Sequence, residues 1–347
     1  MSPSDETSDA QETLLRAARE VEAEIEELGD PEGAPSLPST TLAAQATIPN
    51  PDVLRDPSVR RSATGDIMQL AWPVMLSQGL ISLAGLIDRA MVGRLGGDDG
   101  AAVPLAAVGF ATQFFFLIQS ALFAVGFSCI ALMARAIGAG KPERARAALA
   151  ASLEISIITT LVLGGTILAV GRSALVWLGA DAAVADAARP YLQLVIGSSL
   201  LLAVALLLES ALRANRDMRT PMWIALIITV TKLAGNWLLI YGNWGFPELG
   251  LTGAGWATVF AQAVAVVLFI AVIARTHENS PVAVRWKDWR NAPALRREVV
   301  RIALPGIAER IVMNIAMLGY FWVLGHYYGT VEVAAYTVGV ALLSFSW

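Results

Sequence analysis

Three polar residues inside long apolar stretches of this chain could do chemistry together: Asp88, Lys232 and Asn236. An ionisable side chain costs about 2.5–3.5 kcal/mol at the centre of a bilayer on insertion scales, so something must offset each one. Lys232 and Asn236 are four residues apart and share one face of a helix. Lys232 lies about ten residues from both Pro221 and Gly242, too far to snorkel fully to either surface. It needs an internal partner, and Asp88 is the best candidate. A carboxylate in a poorly hydrated cavity can exchange a proton, or it can contribute oxygens to Na⁺. The plainer alternative is a solvated Asp88 near the membrane surface, paired with Arg89 or Arg94.

Other polar groups carry weaker signals. Glu209 precedes Arg213 by one helical turn, so pairing is its default. Glu154 suits a pair with loop arginines. Glu309 and Arg310 are adjacent and must face different directions. Gln78, Gln113, Gln119, Gln193 and Gln262 suit a cavity lining, although helix-to-helix hydrogen bonds are their commoner use. Of these side chains, Glu309, Glu209 and Gln78 are kept as candidates for substrate or coupling contact. Pro73 and Pro305 each sit about one turn into an apolar run, where proline either bends a helix or is tolerated near its start.

Several chemistries have no residues to carry them. No G-x-x-x-x-G-K-[ST] stretch suggests ATP use, and no G-x-S-x-G, H-E-x-x-H or C-x-x-C motif suggests an enzyme. One cysteine, Cys129, and two histidines, His277 and His326, leave little for a metal site. The expectation is a protein without catalytic residues, cofactor or metal. A net charge of −4 shows no basic excess for nucleic acid.

The elements that must position these residues are membrane helices. Hydrophobic residues make up 56% of the 347-residue chain and charged ones 16%, against about 25% charged in soluble proteins. Apolar runs long enough to span a bilayer recur at roughly 67–92, 104–134, 147–171, 190–212, 221–242, 250–274 and 302–325. An eighth begins near Val333. The runs are continuous rather than alternating, which predicts helices and not a barrel. Connections after even-numbered spans hold clustered bases such as Arg135, Lys141, Arg144 and Arg146. The odd connections hold only Arg89, Arg94, Arg172 and Arg189. By the positive-inside tendency the even connections and the N-terminus are cytoplasmic.

Residues 1–65 are acidic, with 13 Asp/Glu against 5 Lys/Arg. Apolar residues from Leu14 to Leu28 at alternating steps of four and three predict a short helix near 10–28. The proline-punctuated stretch 30–60 reads as a disordered linker. A parallel internal repeat also emerges: Leu70-Ala-Trp-Pro resembles Ile302-Ala-Leu-Pro, with Gly93 matching Gly325 and Ala106-Ala107 matching Ala334-Ala335. Its period of six spans predicts a six-plus-six architecture.

Five segments resemble the multidrug and toxic compound extrusion (MATE) family, in that family's order. They are LAWPVMLSQGLISLAGLIDRAMVGRLG (70–96), AIGAGKPERAR (136–146), LRANRDMRTPM (212–222), NWLLIYGNWGFPELGLTGAGWAT (236–258) and IALPGIAERI (302–311). The fourth is similar to bacterial exporters of the NorM type. The resemblance implies an all-α polytopic membrane protein with a six-helix N-terminal lobe (66–275), a cytoplasmic linker (276–301) and the start of a second lobe (302–347: helix seven and part of helix eight). It implies secondary active efflux of organic, often cationic drugs or toxins by alternating access, against H⁺ or Na⁺. It also implies a monomer in the inner membrane, with neither ATP nor nucleic acid as partner.

Residue by residue, the family's helix-one cation or proton site falls on Asp88. Asn236 matches a position usually filled by Asp or Asn, and Thr258 one that can supply a hydroxyl. Glu309 matches a helix-seven carboxylate of some subgroups, and Pro73 and Pro305 match hinge positions. Lys232 departs from the pattern, because the family usually has Asn there. An amide can coordinate Na⁺, whereas an ammonium occupies the space and repels it. The expectation is a Lys232–Asp88 pair in place of bound Na⁺, with H⁺ favoured as coupling ion; a purely structural pair is the rival. Two other functions compete: a related lipid-linked oligosaccharide flippase, which favours a more cationic cavity, and a truncated remnant that does not transport.

Overall fold

The computed structural model describes residues 57–95, 102–276, 280–283 and 292–343. The predicted acidic helix near 10–28, the linker up to Asp56, and linker residues 277–279 and 284–291 lie outside the described residues. Helices dominate the described residues: α1 (Pro57–Gly93), α2 (Ala102–Gly138), α3 (Pro142–Trp177), α4 (Ala182–Ala214), α5 (Arg219–Tyr241), α6 (Gly250–Ala274), α7 (Ala292–Tyr327) and α8 (Thr330–Leu343). A single 3-10 turn at Asn243–Gly245 joins α5 to α6. Seven helices are long and apolar enough to cross a membrane, and α8 is a shorter apolar helix. The fold is all-α and polytopic.

Local chemistry sets the helix ends. Pro142 opens α3, where its missing N–H costs nothing. The Asp217 carboxylate accepts the Thr220 amide at 3.0 Å and the Thr220 hydroxyl at 2.6 Å, satisfying the first turn of α5. Gly242, with φ 67, closes α5 in the left-handed region.

The helices outrun the apolar spans read from the sequence. At about 1.5 Å per residue, α1 and α7 are each roughly 55 Å long against an apolar bilayer thickness of about 30 Å. Hydropathy marks only the part inside the membrane, and the helices continue beyond it. So 57–65, expected in the tail, are helical, and so are 292–301, expected in the linker. Pro73 and Pro305 consequently lie several turns inside unbroken helices rather than near their starts.

Contacts divide the chain after Thr64, and the helix bundle belongs to the unit Gly65–Trp347. Within it, helices α2 and α4 hold most of the core, with Phe110, Ile118, Leu122, Met133, Leu192 and Leu207 fully buried. Peripheral faces expose Phe127, Ile158, Leu161, Val162, Phe260 and Val267, the surface that lipid requires and water penalises. Helix α7 lies along α2. Gly306 approaches Ala124, the rings of Phe110 and Phe321 meet edge to face at 5.8 Å, and Asn314 Nδ2 donates to Ser120 Oγ at 2.9 Å.

Both ends of α7 are also fastened. At the end carrying the basic connections, Arg144 reaches Glu298 at 3.0 Å and Arg296 reaches Glu154 at 2.5 Å. At the opposite end Thr330 Oγ1 donates to Asp181 at 2.5 Å. There the backbones of Gly179 and Gly325 nearly touch: a Cβ on Gly179 would lie 2.6 Å from the Gly325 carbonyl carbon.

Candidate functional site

Helices α5 and α6 cross closely because small residues line the seam. A Cβ on Gly253 would collide with the Leu239 carbonyl, and one on Gly235 would sit 3.1 Å from Ala257. Helix α1 is fixed to this pair near its end, where Tyr241 Oη donates to the Met91 carbonyl at 2.8 Å. One turn back along α1, Asp88 faces α5. Its Oδ2 accepts from Lys232 Nζ at 3.2 Å, and its Oδ1 accepts from Asn236 Nδ2 at 2.5 Å. Asp88 is 8% exposed and Asn236 is fully buried, while the Lys232 side chain keeps 25% exposure.

Three neighbours complete the surroundings. Arg89 folds back so that Nη1 donates to the Gly85 carbonyl at 3.0 Å, while its Nε is buried without an acceptor. The Asn236 Oδ1 is buried without a donor. The phenol of Tyr191, on α4, is buried and close enough to interact with the charges of Asp88 and Arg89. Gly255 makes room beneath it, since a Cβ there would lie 3.5 Å from the Tyr191 ring. The site thus gathers two cations, one carboxylate, an amide with a free acceptor and a phenol. Protonation of Asp88 would remove the negative charge that faces Lys232 and release the ammonium. A diffusible cation entering here would compete with two fixed ones.

The other candidates do not join this group. Thr258 turns its hydroxyl to the Ala254 carbonyl at 3.0 Å, one turn back on α6. Glu209 pairs with Arg213 on its own helix. Glu309 and Gln78 are exposed on α7 and α1. Pro73 is buried and Pro305 exposed. Asp88 takes Lys232 as its ion-pair partner rather than Arg89 or Arg94, the plainer alternatives. Sequence reasoning did not single out Tyr191 or the orphaned Arg89 Nε. The one sequence signal that marks Tyr191 is an aromatic hydroxyl beside Pro190 in an apolar run.

An ion pair held between the first and fifth helices of an all-α bundle defines a polytopic membrane protein with a charged internal site. Residues 73–238 match the family model MatE. It is 24% identical over 295 residues to a probable multidrug resistance protein NorM of Thermotoga maritima, covering 84% of this chain and 60% of that protein. It is 30% identical over 283 residues to one from Bradyrhizobium diazoefficiens, covering 79% and 58%. The chain therefore spans about 60% of the length of these curated relatives.

Among solved structures it is similar to an inward-facing multidrug resistance MATE family transporter of the MOP superfamily (TM-score 0.67, 22% identity, 78% of this chain and 60% of that one). It is also similar to a MOP superfamily transporter from Pyrococcus furiosus described as having a binding pocket of reverse polarity that suggests a different function (TM-score 0.63, 22% identity, 80% and 67%).

Proposed function

We propose that the protein exports organic, often cationic, compounds by secondary active antiport against H⁺, through alternating access and without ATP. The carrying observation is the buried Asp88, held by Lys232 and Asn236. In this reading Asp88 is the proton-carrying group. A proton arriving at Asp88 dissolves its pairing with Lys232, and deprotonation restores it, so two arrangements of α1 against α5 alternate. Na⁺ is disfavoured as the coupling ion because Lys232 already supplies a positive charge at the carboxylate. Thr258 and Glu309 have no part in the step as the side chains stand. The protein works as a monomer in the inner membrane, with the Arg144 and Arg296 end in the cytoplasm.

The test is efflux of a fluorescent cationic dye from cells expressing the full-length protein, with Na⁺ and pH varied independently. Efflux should follow the proton gradient and ignore Na⁺. Na⁺-dependent efflux that survives Lys232→Ala sinks the proposal.

One observation favours a second reading. Two cations against one carboxylate leave the site net positive, which suits an anionic head group such as that of a lipid-linked oligosaccharide. Under that reading Arg89→Ala abolishes transport of the anionic lipid and the protein moves no dye. Under the first reading Arg89→Ala leaves dye efflux in place.

A further inference from the structure

A second polar recess, lined by none of the residues gathered around Asp88, lies where α3 and α4 meet near their shared turn, at the end of the bundle away from the basic connections. Its cavity volume is about 210 Å³, and it is open to the outside. Gly171 of α3 and Leu192 of α4 line it side by side, a Cβ on Gly171 lying 3.9 Å from Leu192. Two arginines converge on it from different helices, Arg172 from α3 and Arg189 from α4, with Gln193 one turn beyond Arg189. Few basic residues occur at this end of the chain at all, which makes the convergence specific.

The charges are arranged to take an anion. Asp186 accepts from Arg172 Nε at 2.9 Å, which orients the guanidinium and leaves its two terminal nitrogens for a ligand. Arg189 is exposed and has no hydrogen-bond or ion-pair partner of its own among the described residues. Two guanidiniums against one carboxylate leave one positive charge, the complement of a phosphodiester. Arginine suits phosphate because its planar fork presents paired donors.

The position also says where the anion comes from. Trp177 is exposed little more than one turn past Arg172, as a residue at the membrane–water boundary should be. Leu168 and Val170, also lining the recess, are 42% and 46% exposed and give acyl chains an apolar path beside it.

We propose that this recess binds the phosphodiester head group of an anionic glycerophospholipid from the adjoining leaflet. The proposal is independent of the transport reading above. The test uses delipidated full-length protein in detergent, titrated with phosphatidylglycerol, phosphatidylcholine or inorganic phosphate and read by native mass spectrometry. Phosphatidylglycerol should bind best, and Arg189→Gln should weaken it about fivefold, the worth of one arginine near an anionic membrane surface. Arg172→Ala with Arg189→Ala should weaken it about 25-fold while phosphatidylcholine binding stays unchanged. Arg189 is exposed and makes no hydrogen bond or ion pair among the described residues, only a weak charge interaction with Asp186, so its single variant should unfold at the parent temperature and keeps the test clear of folding defects. Unchanged phosphatidylglycerol binding in Arg189→Gln overturns the proposal. So does displacement of the lipid by millimolar inorganic phosphate, which would make this a free-anion site.

Discussion

Two acid–base clusters in this protein have similar geometry and opposite surroundings. Between α1 and α5, Lys232 meets Asp88 at 3.2 Å with side chains 25% and 12% exposed. At the basic end, Arg144 meets Glu298 at 3.0 Å with side chains 52% and 44% exposed, and Arg296 meets Glu154 at 2.5 Å. Distance alone would rank these contacts together. Solvent separates them. The outer pairs trade hydration for each other at little net gain and are screened by salt. The inner pair is mostly shielded, so each member depends on the other far more. The first arrangement can fasten α7 to α3 reversibly. The second makes the charge state of one carboxylate a property of the whole α1–α5 contact.

The sharpest way to break this contrast is Asp88→Asn. The substitution leaves the Lys232 ammonium facing an amide beside Arg89, and breaking a buried pair by removing one partner costs about 3–5 kcal/mol. The quarter exposure of Lys232 puts the expected loss near the lower bound. Thermal unfolding of purified protein should show it, and proton-coupled efflux should vanish. Adding Lys232→Met to Asp88→Asn should restore much of the stability without restoring transport. If Asp88→Asn alone unfolds like the parent, the inner pair is no different from the outer ones.

A smaller effect tests whether the inner pair depends on backbone packing as the outer ones do not. Gly253→Val would drive a side chain into the Leu239 carbonyl and push α6 away from α5. Overpacking of this kind costs about 1–3 kcal/mol. The expected result is a lower unfolding temperature together with reduced efflux, because Lys232 and Asn236 lie on α5 and lose the helix packed against it. A variant with full efflux would uncouple the site from the α5–α6 seam.

The same contrast explains what could be read from residue order. The pairing of Lys232 with Asp88 was legible because a mid-helix ammonium has few possible partners, and the i,i+4 spacing placed Asn236 beside it. The helices were legible because long apolar runs admit one fold. Their ends were not, since α1 and α7 continue well past the apolar part, and hydropathy is blind to a solvated helix. Of the basic-end clasp only part was legible: Glu154 suits a pair with a loop arginine, and it takes Arg296. Arg135, Lys141, Arg297 and Arg301 lie near the same surface, and nothing in their spacing chooses Arg296 for Glu154 or Arg144 for Glu298. Thr258 shows the opposite failure. A motif position predicted a hydroxyl at the site, but a threonine inside a helix can satisfy itself on the carbonyl one turn back, and this one does. Tyr191 escaped notice because its part in the site depends on Gly255 leaving room, a fact of packing and not of spacing.

The smallest expected effect sharpens the comparison from its exposed side. Arg144→Glu should destabilise the protein by about 0.2–1 kcal/mol, the usual worth of an exposed pair. It places like charges at Glu298, and the companion pair of Arg296 with Glu154 still holds α7. Reversing the partner as well, with Glu298→Arg, should restore the contact, because an exposed pair has no fixed polarity to respect. The loss in the single variant should shrink further at high salt, where charges more than a few ångströms apart are screened. Unfolding temperatures at low and high salt for the parent, both single variants and the double variant give the coupling directly. A coupling near zero would mean that α7 is held by the Gly306–Ala124 and Phe110–Phe321 contacts alone. A coupling of several kcal/mol would mean that the clasp is shielded from water and belongs in the same class as Lys232 and Asp88.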